Sequence, residues 1–126
     1  MNELAIIFGG VFGFLAILLG AFGAHFLKKK LNSEQLQSFE TGVKYQMYHA
    51  LVLLVLGFQL NTETTINNYI IYAFIIGVFL FSFSIYGLLL SSANNKKLRF
   101  LGPMTPLGGL FLAFGWGMLI YKYTTI

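Results

Sequence analysis

Seven residues have the side chains and spacing to do chemistry in an apolar setting: His25, Tyr45, Gln46, His49, Tyr86, Thr105 and Pro106. In the block Lys44-Tyr45-Gln46-Met47-Tyr48-His49, a helix puts Tyr45, Tyr48 and His49 on one face at i, i+3 and i+4. His49 then lies about 10 Å along that helix from Gly42, at 1.5 Å per residue. Ser82 stands one turn before Tyr86, and Thr105-Pro106 reads as a cap followed by proline at the first helical position. A helix beginning there directs positive partial charge into the same zone. Imidazole titrates near neutral pH, so these groups together could hold a small polar solute, a proton or a lipid headgroup. They could equally form a hydrogen-bond lock between helices, or an interfacial belt in the case of the tyrosines.

Other chemistries find little here. The chain has no cysteine, which removes disulfides, thiolate metal sites and cysteine nucleophiles. His25, His49 and Glu40 could notionally ligate a metal, but Glu40 and His49 lie nine positions apart, about 13 Å along one helix. No serine sits in a recognisable arrangement with histidine and carboxylate. The glycines lie inside apolar runs, which serve packing and not a phosphate loop. The residues therefore predict no catalytic site, no metal and no cofactor, and a chain that is not an enzyme.

The elements that must position these groups are legible from hydropathy. Of 126 residues 57% are hydrophobic and 10% charged, against about a quarter charged in soluble domains. Four apolar runs of bilayer length cover Leu4 to Leu27, Gly42 to Leu60, Asn68 to Leu90 and Thr105 to Tyr123. In lipid each must be a helix, because no water satisfies the backbone. The expected fold is all-α: one domain over residues 1–126, a polytopic four-transmembrane-helix bundle. Between the first two spans, Leu31 to Thr41 predicts a short amphipathic interfacial helix, capped by Asn32 or Ser33 and bent at Thr41-Gly42. One long helix from Ser33 to Leu60 is the alternative.

Charge sets the expected orientation. Lys28, Lys29, Lys30 and Lys44 flank the first connection, and Lys96, Lys97 and Arg99 the third, whereas Asn61 to Asn67 holds only Glu63. Lysine and arginine stay in the cytoplasm on short loops, so both termini are expected outside the plasma membrane. Lys122 is the exception, placed to snorkel. A net charge of +4 then reads as topology and attraction to anionic lipid, with no nucleic-acid partner. Met1-Asn2-Glu3 lacks the basic start of a signal peptide, so the first span reads as uncleaved.

Small residues indicate packing faces. Gly9, Gly13, Ala16, Gly20 and Ala24 form a ridge in the first span, and Gly109, Ala113 and Gly117 one in the fourth. On this reading leucine at Gly20 or Gly109 should destabilise more than leucine at Gly57.

Three blocks carry a family likeness: Gly20-Ala21-Phe22-Gly23-Ala24-His25, Phe39-Glu40-Thr41-Gly42-Val43-Lys44-Tyr45-Gln46-Met47-Tyr48-His49-Ala50-Leu51, and Thr105-Pro106-Leu107-Gly108-Gly109. Over essentially its whole length the chain resembles the small membrane proteins of domain of unknown function 423, which include transmembrane protein 256. Phe83 stands where that pattern leads one to expect glycine. The resemblance implies four spans and a membrane address, assigns no activity, and marks His25, Tyr45, Gln46, His49, Thr105 and Pro106 for testing. The leading expectation is a non-enzymatic binding or conducting module working at the polar cluster near the cytoplasmic face. The alternative is a structural or assembly protein that docks other membrane proteins. Expected partners are membrane lipids and either a second copy or another membrane protein.

Overall fold

A computed structural model describes residues 2–60, 64–93 and 99–124. Its first helix, α1, runs through Asn2–Leu18, a π-helical turn Leu19–Gly23, and Ala24–Leu27. Helix α2 is Ser33–Gln59. Helix α3 comprises Thr65–Val78, a second π turn Phe79–Phe83, and Ser84–Ala93. A 3-10 turn, Arg99–Leu101, precedes α4, Met104–Thr124. All the regular structure among the described residues is helical. Among the described residues three helices are long and apolar enough to cross a membrane: Glu3–Leu27, Thr65–Ser92 and Met104–Thr124. Helix α2 has the length, but Glu34, Gln35, Gln37, Glu40 and Lys44 make its first half polar.

The separate interfacial helix does not form. Helix α2 starts at a capping box, in which the Asn32 side-chain Oδ1 accepts from the Gln35 backbone N–H and the Gln35 Oε1 accepts from the Asn32 backbone N–H. It then continues straight through Thr41-Gly42. The Thr41 hydroxyl donates back to the Gln37 carbonyl, which a continuing helix tolerates. Gly42 serves proximity instead of bending: a Cβ there would sit 2.9 Å from the Tyr86 ring.

Neighbouring helices run antiparallel. Along α1 and α2 the contacts pair Gly9 with Ala50 and Leu54, Gly13 with Ala50, Gly20 with Val43 and Gly23 with Phe39. The expected ridge on α1 thus faces α2 at Gly9, Gly13 and Gly20, with Ala16 buried beside them. The side chain of Ala24 lies outside the described ones. On α4 the ridge is one residue out of place. Gly108, Leu112 and Gly115 are the buried positions, whereas Ala113 is exposed and a Cβ at Gly117 would meet nothing within 4 Å. Gly20 is exposed and Gly57 buried, so the expected ranking of leucine substitutions at these sites is not supported.

Phe12, Leu53, Ile70, Ile71, Phe74 and Val78 fill the centre at 1% exposure or less. Ring contacts continue from Phe12 to Phe79 at 5.2 Å and from Phe83 to Tyr86 at 5.5 Å. The outer surface is itself apolar, with Phe14, Phe26, Phe58, Leu110 and Ile120 all exposed. Water-soluble chains rarely leave such continuous apolar surface uncovered.

Candidate functional site: buried polar knots between helices

The polar residues gather into separate knots, each tying helices together. In the first, Gln46 is 0% exposed. Its Nε2 donates to the Phe12 carbonyl of α1 at 2.7 Å, and its Oε1 accepts the Tyr86 hydroxyl of α3 at 2.7 Å. Ser82, equally buried, donates to the Gly42 carbonyl at 2.7 Å. This knot joins α1, α2 and α3.

The second knot joins α2 to α4. The His49 Nδ1 lies 2.7 Å from the Tyr45 carbonyl, and the Trp116 Nε1–H donates to His49 Nε2 at 3.1 Å. A carbonyl can only accept and an indole N–H can only donate. Both partners are therefore satisfied by one form alone, the neutral imidazole with its hydrogen on Nδ1. Phe74 packs against both rings, 5.5 Å from His49 and 5.4 Å from Trp116.

Helices α3 and α4 are tied twice more. The hydroxyls of Ser84 and Thr105 share a short hydrogen bond at the end near the first connection. At the opposite end the Lys122 ammonium donates to Oδ1 of the buried Asn67 and lies 5.2 Å from the Tyr123 ring. Lys122, expected to snorkel to the outer interface, here has its ammonium on a buried side chain of α3.

Of the seven residues singled out from sequence, Gln46 and Tyr86 share one knot, His49 belongs to another and Thr105 to a third. Tyr45 gives the second knot its carbonyl as hydrogen-bond acceptor; its ring, 42% exposed, lies against Phe81 and Tyr48 and is stacked 6.5 Å from the His49 ring. His25 stands apart. It is exposed, touches the edge of Phe26, and shares no network with His49. Pro106 is exposed and lies inside the first turn of α4, not at its first position, because the helix starts at Met104. Thr105 therefore bonds across to Ser84 instead of capping its own helix. Among the described residues no three His, Asp or Glu side chains gather as metal ligands do.

Residues 19–109 match the model of a family described as a protein of unknown function, DUF423. The chain belongs to the DUF423 family. It is 39% identical over 118 residues to the UPF0382 membrane protein SH2409 of Staphylococcus haemolyticus, covering 94% of this chain and 93% of the relative. With the UPF0382 membrane protein YwdK of Bacillus subtilis it shares 38% over 120 residues, 91% of each chain. With the UPF0382 inner membrane protein YgdD of Escherichia coli K12 the identity is 35%, over 94% of this chain and 88% of the relative. No solved structure matches. Apolar helices and membrane relatives agree, and this DUF423 chain is an integral membrane protein.

Sequence reasoning passed over Trp116, Ser84 and Asn67. Trp116 had a readable signal. It is the single tryptophan, placed well inside the fourth apolar run and away from the interfaces where tryptophan usually sits.

A test of the DUF423 knot follows from its donors. His49→Phe leaves the Trp116 N–H unmet and should lower the melting temperature in detergent. His49→Gln, which keeps an acceptor oxygen, should recover most of the loss. Bonds of this kind in membranes are worth about 0.6 kcal/mol on average and up to about 1.7. Indistinguishable melting of the two variants would remove the lock.

Proposed function

We propose that this protein is a non-enzymatic, four-span structural or assembly protein that docks other membrane proteins. The observation that carries the reading is the closure of its interior. Gln46, Tyr86, Ser82 and His49 use their polar atoms on one another, on backbone carbonyls or, at His49 Nε2, on the Trp116 N–H. A conducting or solute-binding centre needs polar groups turned toward a passage, whereas these groups hold helices together. Recognition then falls to the outer surface. The outward strip Gly109, Ala113 and Gly117 on α4 is the face where another helix can come closest, since Gly117 has open space beyond it.

Helix α2 makes the fourth crossing in this reading. Its 27 residues span about 40 Å at 1.5 Å each, longer than the hydrocarbon core, so its polar first turns stand in the headgroup layer. The Lys28 to Lys30 end faces the cytoplasm and both termini face outward, supported by the distribution of Lys and Arg. Glu63, Lys96 and Lys97, part of that distribution, lie outside the described residues.

Because the chain lacks cysteine, single cysteines test the whole reading in native membranes. Ala113→Cys should give a discrete adduct of higher mass with a short thiol crosslinker, whereas Phe14→Cys, also exposed but on α1, should not. In intact cells an impermeant thiol reagent should label Tyr123→Cys and spare Lys29→Cys. Identical crosslinking at positions 113 and 14 would sink the docking face, and labelling at 29 alone would invert the orientation.

A further inference from the structure

Two troughs adjoin on the outer side of α1 and α2. One, of about 350 Å³, lies over Ala16, Gly20 and Ala21 and against Met47 and Tyr48; the other, of about 270 Å³, lies against Phe39 and Glu40. They share Gly20, Val43 and Lys44, so they form one channel along the α1–α2 seam. The floor is low where α1 offers Ala16, Gly20 and Ala21, with Ile17 the one large α1 side chain in the lining. From Glu40 to Tyr48 the channel follows α2 for about 12 Å at 1.5 Å per residue.

Its polarity is graded. Glu40 stands at the end nearer Lys28 to Lys30 and Lys44 midway, where the two troughs join, and the lining beyond Lys44 is nearly all apolar. Glu40 and Lys44 are four positions apart on α2, which places their Cβ atoms about 5–6 Å from each other. Both are exposed, and neither is tied to the other or to any other described residue. A neighbouring carboxylate and ammonium left open above an apolar channel complement a head that carries one charge of each sign above a hydrocarbon tail.

We propose that the α1–α2 seam is a binding site for a zwitterionic phospholipid, for which an ethanolamine lipid is the probe. Lys44 holds the lipid phosphate, Glu40 holds the lipid ammonium, and one acyl chain lies over Ala16, Gly20 and Met47. A purely anionic lipid meets Lys44 equally well but is repelled by Glu40, so the pair selects by head charge. The site lies outside the buried knots and does not rest on the docking role.

The test is native mass spectrometry of the full chain, released from micelles holding equal amounts of dioleoyl phosphatidylethanolamine and dioleoyl phosphatidylglycerol. The wild type should keep the ethanolamine lipid over the glycerol lipid by at least about fivefold. Glu40→Gln should abolish that preference while keeping the glycerol lipid. Lys44→Gln should lose both, and Gly20→Leu, which fills the channel floor, should weaken both together. Unchanged thermal melting of the Glu40 and Lys44 variants separates lost binding from lost folding, as both residues are exposed. Equal retention of the two lipids by the wild type would overturn the proposal, as would a preference that survives both charge substitutions. A preference for the glycerol lipid that depends only on Lys28, Lys29 and Lys30 would also overturn it, leaving nonspecific attraction to a basic end.

Discussion

Gly108→Ala should strongly destabilise the protein in mild detergent, while Gly109→Ala and Gly117→Ala leave its stability nearly unchanged. A Cβ at Gly108 would stand 2.2 Å from the Phe81 nitrogen, 2.6 Å from the Leu80 carbonyl carbon and 2.7 Å from the Phe81 Cα. All three atoms belong to backbone, so no side-chain rotation relieves the clash, and α3 and α4 must separate. The cost should reach the upper end of overpacking, about 3 kcal/mol. One position along, a Cβ at Gly109 meets only the Phe81 ring, at 3.9 Å, which is ordinary contact. Denaturation of the three variants in a detergent titration is the measurement. Equal midpoints for Gly108→Ala and Gly109→Ala would show that the α3–α4 contact is not where it is placed here.

Gln46→Ala should come next, at about 3 kcal/mol, because it opens a cavity at a fully buried site and strands the Tyr86 hydroxyl. Tyr86→Phe keeps the ring and removes only the hydroxyl. It should cost about 1 kcal/mol by leaving Oε1 of Gln46 without its donor. The two losses share one bond, so they should not add. In the Gln46→Ala background, Tyr86→Phe should be nearly free, since its hydroxyl has already lost its partner. Strict additivity in that double-mutant cycle would mean that the bond contributes nothing to stability.

What could be read from sequence divides along a physical line. Long apolar runs announce helices, and their ends came close: the run Leu4 to Leu27 lies within α1, and Thr105 to Tyr123 within α4. Which side of a helix faces its neighbours is a different question. In water, an apolar stripe answers it; in lipid, outward faces such as Leu110, Phe114 and Ile120 are as apolar as the core. That is why spacing alone points to Gly109 when Gly108 is the buried member of the pair. The Gln46–Tyr86–His49 region was legible because polar groups deep in apolar runs need partners. His25 failed the same reasoning because it lies one turn from its helix end, where the surface meets it. The missing interfacial helix has a comparable cause. Gly42 carries two meanings in sequence, flexibility and close approach, and only the position of Tyr86 decides between them.

The π turn at Phe79–Phe83 has a consequence for helical phase. A π turn holds one more residue than the α turn it replaces, and each residue of an α-helix advances about 100°. Everything after Phe83 is thereby rotated by about that angle relative to an unbroken helix. Ser84 and Tyr86 meet α4 and α2 only because of this offset. Losing a single residue from Phe79–Phe83 should relax the π turn to an α turn and leave Ser84–Ala93 facing the same way, whereas losing one from the regular helix Thr65–Val78 would shift the phase between its two ends by about 100°. In this protein chain length between two points is itself a structural variable, and substitutions alone do not sample it.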